Sequence, residues 1–277
     1  MADKKWVGTT GDLNTAGNWS PSGVPSSGDN VYFPAGSPSV TASLDALKTA
    51  TLGGALAIVE FEDGYTGTVG TSSSYMQFTC TSLKFSGTGQ AWLNLEASAI
   101  SPEIRKTAIP ASAASRGLYL RGSALATLSV SGNASVGVAA YGAETSTITT
   151  ARVVSGSASL LLGSGVTVTT VQVTAGQAEI RCGGTTLDVQ GGNVTTYGTG
   201  TWTTVTEDGG TLYPYGTGTI TTCNLNGGTL DRLTAGQALT ITTMNHNGGV
   251  LRYDENVTTI TTYNRKDGPS QITVSDP

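Results

Sequence analysis

The chain reads as an all-β protein, a single-stranded right-handed parallel β-helix (β-solenoid) with about 19 residues per coil. Three observations carry that reading. An eight-residue phrase recurs seven times, starting at Thr149, Thr169, Thr185, Thr203, Thr221, Thr242 and Thr261. Within the phrase, apolar and polar side chains alternate with the period of two that marks a half-buried strand. Every copy ends in glycine: Gly156, Gly176, Gly192, Gly210, Gly228, Gly249 and Gly268. The steps between copies are about 20, 16, 18, 18, 21 and 19 residues, within the range of solenoid repeats.

The third position of the phrase is Ala151, Val171, Leu187, Val205, Cys223, Met244 and Tyr263, which predicts an inward row. The fourth is polar throughout, ending in Asn224, Asn245 and Asn264, and this outward column predicts an amide ladder, with a sugar-binding strip as the alternative. The fifth is Val153, Val173, Val189 and Leu225, with Glu207, His246 and Arg265 as exceptions. The terminal glycine predicts a corner, because left-handed backbone angles cost it nothing. Two residues later an apolar side chain (Ala158, Ala178, Val194, Leu212, Leu230, Leu251) opens a second strand. A third short strand is expected to end just before each Thr pair, at Ile148, Val168, Trp202, Ile220, Ile241 or Ile260. Threonine is β-branched, suits the pleat and can bond to its equivalents in the coils above and below. An isolated coil cannot bury its apolar face, so the coils must stack.

Residues 1–46 read as a cap or attachment segment, and 47–277 as the β-helix, with its regular repeats at 149–268. The first segment carries Trp6, Gly11, Asp12, Asn18, Trp19, Pro21, Pro25, Gly28, Asp29, Val31 and Phe33 among turn residues. A β-helix leaves its first coil with open edges and an open core, so Trp6 and Trp19 are expected to plug it. Trp6, Trp19 and Phe33 are also candidate partner contacts. This phrase resembles the one that opens solenoid regions of bacterial autotransporter-type surface proteins and of some phage virion proteins. The resemblance covers roughly the first 35 residues, and the Thr- and Gly-rich coils that follow are similar in texture. It implies a β-solenoid with a structural or adhesive role.

Alternation continues at 55–62 and 82–87, then lapses at 99–116, where two prolines and the charges Glu103, Arg105 and Lys106 interrupt it. That stretch is expected to be an excursion from the solenoid, either a plain surface loop or a partner contact made by those three residues. Strands resume at 117–122 and 126–132. At the far end, Arg265 and Lys266 put charge where core is expected, so the coil is either ending or facing a neighbouring chain.

Composition excludes several functions. A net charge of −5 gives no basic footprint for nucleic acid. No apolar run reaches the roughly 18 residues of a membrane span. The opening MADKKWVG lacks a signal-peptide h-region, which predicts synthesis in the cytoplasm. Cys80, Cys182 and Cys223 lack metal-ligand spacing and read as buried thiols, and the single histidine, His246, has no ligand partner. Phosphate-loop, nucleophile-elbow and calcium-repeat motifs are absent, so neither cofactor nor catalytic residue is expected. Asp188, Glu207, Asp208, Asp231, Arg232, Arg252, Asp254 and Glu255 are expected at different corners and faces rather than converging as a carboxylate pair. The reading that results is a non-enzymatic phage capsid decoration or tail-associated protein, trimeric, bound to the major capsid or another virion protein, with a surface glycan as a further ligand. A bacterial adhesin or passenger module and a polysaccharide-degrading tailspike are the alternatives.

Overall fold

A computed structural model describes residues 1–40, 56–95, 100–112, 115–266 and 270–275. It is a parallel β-solenoid of about 10 turns with about 20 residues per turn. Apart from a 3-10 turn at Ala16–Asn18, the described regular structure is all strand. From residue 135 onward two ladders run the length of the rod. One stacks the short strands Ser135–Val138, Ser159–Leu162, Gln177–Ile180, Asn193–Thr196, Thr211–Pro214, Thr229–Arg232, Gly249–Asp254 and Ser270–Ser275. The other stacks the long strands Ser146–Val153, Val166–Val173, Gly184–Val189, Trp202–Glu207, Thr219–Leu225, Leu239–His246 and Thr258–Arg265.

Each coil therefore has two strands where the sequence predicts three. The expected third strand runs without a break through the Thr pair into the phrase strand. Burial shows why the pattern suggested a boundary: Ile148 and Ala151 both point inward, while Thr149 and Thr150 between them do not. Two successive outward residues shift the alternation by one step, bending the strand while the ladder stays paired on both sides. Inside, the third-position row from Ala151 to Met244 is buried, as are the apolar residues that follow each glycine corner.

The glycine corner is a constant of the fold. From the inward fifth residue to the start of the short strand is four positions in Val173–Gln177, Val189–Asn193, Glu207–Thr211 and Leu225–Thr229. At Gly210 the backbone takes φ +88, and an added Cβ would lie 2.4 Å from the Gly192 carbonyl oxygen of the coil below. Gly156 departs from the rule because its connection, Val153 to Ser159, is two residues longer. There φ leaves the left-handed region and an added Cβ would meet nothing within 4 Å. Gly210→Ala is accordingly expected to lower stability by more than about 1 kcal/mol, and Gly156→Ala to change it little. Denaturant midpoints of the two variants check this, and equal losses would reject the close-approach argument.

The N-terminal segment is continuous with the solenoid. Asp3–Trp6 pairs antiparallel with Trp19–Ser20 and parallel with Asn30–Phe33, which in turn pairs with Leu56–Phe61. The expected boundary at 46–47 lies outside the described residues. Asn18 organises the first loop, accepting from the Thr9 amide at 3.1 Å and donating to Thr10 Oγ1 at 2.7 Å and the Asp12 carbonyl at 2.8 Å.

Candidate functional site

The predicted contact residues fall at three places. Trp6, Trp19 and Phe33 are all interior. The indoles meet edge to face with centroids 5.1 Å apart, and both pack on Phe33. Trp6 Nε1 donates to the Pro38 carbonyl at 3.0 Å and Trp19 Nε1 to the Leu13 carbonyl at 2.8 Å. Phe33 then stacks on Phe61 at 4.3 Å, which packs on Phe85 at 4.9 Å, so the plug grades into an aromatic core column. These rings close the first coil and leave no face for a partner. Their expected role as contact residues is corrected to an internal one.

The charged stretch differs from expectation too. Glu103–Lys106 is a regular strand in the long ladder's path, with Ile104 buried between outward Glu103 and Arg105. The three charges are exposed and paired within the chain: Arg105 with Glu103 at 3.1 Å, Lys106 with Asp63 at 2.7 Å. Such surface pairs add little stability. The excursion proper begins at Thr107 and includes Ile109, which is 93% exposed.

At the C-terminal end, Thr258–Arg265 and Ser270–Ser275 are paired on one side only among the described residues. Tyr263, Ile272 and Val274 are 38%, 39% and 41% exposed there, an apolar surface at the mouth of the core. Arg265, the register partner of inward His246, is exposed in this last coil, and its guanidinium donates to Ser270 Oγ at 2.9 Å and the Ser270 carbonyl at 3.2 Å. Lys266 is exposed, its backbone amide donating to the His246 carbonyl at 3.1 Å.

Glu207, His246 and Arg232 are buried inside the rod. Glu207 stacks between Val189 and Leu225, and among the described residues neither carboxyl oxygen has a hydrogen-bond partner. Burial pushes its pKa up to about 9, with the neighbouring Asp208 charge adding to the shift and the Thr229 amide opposing it. Gly228 makes room for it: an added Cβ there would lie 2.3 Å from Glu207 Oε1. His246, one coil past Leu225, has Nδ1 2.6 Å from the Tyr263 hydroxyl and Nε2 3.3 Å from the Gly249 carbonyl. Burial lowers its pKa; the Gly249 carbonyl can only accept, so Nε2 donates and Nδ1 accepts a hydrogen bond from the Tyr263 hydroxyl. Arg232 donates to the carbonyls of Pro214 and Gln237, to those of Gly216 and Val257 at 3.4 and 3.3 Å, and to Thr258 Oγ1 at 2.9 Å. It fills the inside of the long corner from Arg232 to Thr242. The three cysteines are free and buried, with thiols pushed up to about 12.

Outside, the Asn224–Asn245–Asn264 column is an amide ladder, with Nδ2-to-Oδ1 bonds of 2.8 and 2.9 Å. A second ladder, Asp208–Asn226–Asn247, has bonds of 2.7 Å. Asp231 and Arg252, expected on different faces, are register partners and pair at 3.6 Å. Among the described residues no cluster of three His, Cys, Asp or Glu side chains could hold a metal, and no helix is long and apolar enough to cross a membrane.

A groove of about 770 Å³ lies between the excursion and the outward face of the short-strand ladder. Its floor carries Ser135, Ser159, Gln177 and Asn193 in one register column. Sequence reading missed it because it needs both the coil register and the placement of Ile109, Pro110 and Ser112 beside the ladder.

The fold is a β-solenoid whose first coil is filled by aromatic rings and whose last described strands are paired on one side. No known protein family, curated protein or solved structure matches the chain.

Proposed function

We propose that this is a non-enzymatic structural protein of a phage virion, a capsid decoration or tail-associated rod that binds and stabilises the particle surface. The observation that carries the reading is the asymmetry of the two ends. One end is filled by Trp6, Trp19 and Phe33, while the other presents half-exposed Tyr263, Ile272 and Val274 beside strands paired on one side. Open strands and apolar side chains form an attachment surface, here for the major capsid or another virion protein. Symmetric assembly as a homotrimer would cover them. The protein would be made in the host cytoplasm and reside in the virion. The adhesin reading, with the protein on a bacterial surface, draws support from the polar groove. A tailspike hydrolase would need two carboxylates facing one bond, whereas the groove's Glu179 is held by Arg116 and Arg181.

Native mass by light scattering tests the proposal. A trimer near three times 28.1 kDa is expected, with Ile272→Asp combined with Val274→Asp driving it to monomer. If the wild type neither forms an oligomer nor cosediments with capsids, the proposal fails.

A further inference from the structure

We propose that the groove between the excursion and the short-strand ladder binds a stretch of neutral polysaccharide. The inference stands apart from attachment through the C-terminal end.

The groove's volume lies in the range of small-ligand sites, and its floor is a regular array. Ser135, Ser159, Gln177 and Asn193 occupy equivalent positions on successive coils, about 4.8 Å apart. A sugar chain laid along the rod meets a fresh hydroxyl or amide with each unit. The amides of Gln177 and Asn193 are exposed and make no side-chain hydrogen bond among the described residues. This separates them from Asn224, Asn245 and Asn264, whose amides bond to one another along their own column.

Charge points to a neutral ligand. The Glu179 carboxylate lies 3.3 Å from Arg116, so the two charged side chains that line the groove compensate one another, and Arg181, 2.6 Å from Glu179, lies outside the lining. At the C-terminal end of the groove, Tyr197 is 40% exposed, with Tyr215 6.1 Å away and Tyr213 a further 5.9 Å beyond. Tyrosine offers an apolar face to the C–H side of a sugar ring and a hydroxyl at its rim. Exposed Ile109 and half-buried Pro110 form another lip. A peptide adding as a strand is disfavoured, because these rungs are paired on both sides.

The test uses the full chain and neutral hexasaccharides of gluco, manno and galacto configuration, followed by calorimetry, with a heparin hexasaccharide for comparison. At least one neutral hexasaccharide is expected to bind with millimolar or tighter affinity. Tyr197→Ala, and separately Gln177→Ala with Asn193→Ala, should each weaken binding about tenfold or more, a loss of roughly 1.4 kcal/mol. These side chains are exposed, so the unfolding midpoint should stay put and report that the variants fold. Asn264→Ala, on the self-bonded ladder, should bind as wild type does. The proposal is overturned if no neutral hexasaccharide binds, if heparin is preferred, or if the groove variants bind unchanged.

Discussion

Replacing Glu207 by glutamine should make stability less sensitive to alkali, with the variant gaining on the wild type by roughly 3 kcal/mol between pH 4.5 and pH 7. The sign follows from proton counts. The folded carboxyl titrates near 9 and the unfolded one near 4.5, so between those values the native state holds the extra proton. Wild-type stability then falls by about 1.4 kcal/mol per pH unit across that window. Glutamine carries no such proton. His246 has the opposite sign: its lowered folded pKa makes stability fall as pH drops below the ordinary histidine value. That contribution is common to both proteins and cancels in their difference. Denaturant unfolding at several pH values reads the effect directly, and parallel profiles would mean Glu207 is solvated and ionised in the native rod.

Removing the indole of Trp6 should cost about 3–5 kcal/mol, the range for emptying a large aromatic site. Its loss would leave the Pro38 carbonyl with only the Tyr65 hydroxyl as donor and open the packed Trp19 and Phe33 rings to water. A solenoid's stability is a sum over neighbouring coils, so the damage should concentrate in the first coils. Trp6→Ala is expected to lower the unfolding midpoint and to open the N-terminal region to protease before the repeats at 149–268 are cut. Wild-type midpoints and cleavage patterns would show that the plug is dispensable.

Much of the fold was legible because its signals are local and repeated. Inward Val171, Leu187 and Val205, the glycine corners and the Asn224–Asn245–Asn264 ladder can each be read from one phrase set against the next. The fused strands were not, because two outward threonines look the same in sequence whether the chain bends or breaks. The strand Glu103–Lys106 was hidden because a single inward residue, Ile104, sits among charges. Buried Glu207 and Arg232 also run against the composition rules for a core: Arg232 is accommodated by the carbonyls it gathers, and Glu207 by holding its proton. The groove needed information no single phrase holds, namely which side chains of separate coils share a column and what overhangs them.

The two corners of the coil answer differently to changes in length. The glycine corner spans the same four positions in successive coils, whereas the opposite one runs from five residues (Ile180 to Thr185) to ten (Arg232 to Thr242) and eleven (Val138 to Thr149), with both ladders continuing beyond it. Added residues on the permissive side loop outward and leave both ladders in step, and Arg232 shows how the hollow behind a long loop is filled. An inserted peptide would therefore be displayed along one edge of the rod at intervals set by the coil spacing, while the same insertion at the glycine edge would carry every inward side chain after it out of line.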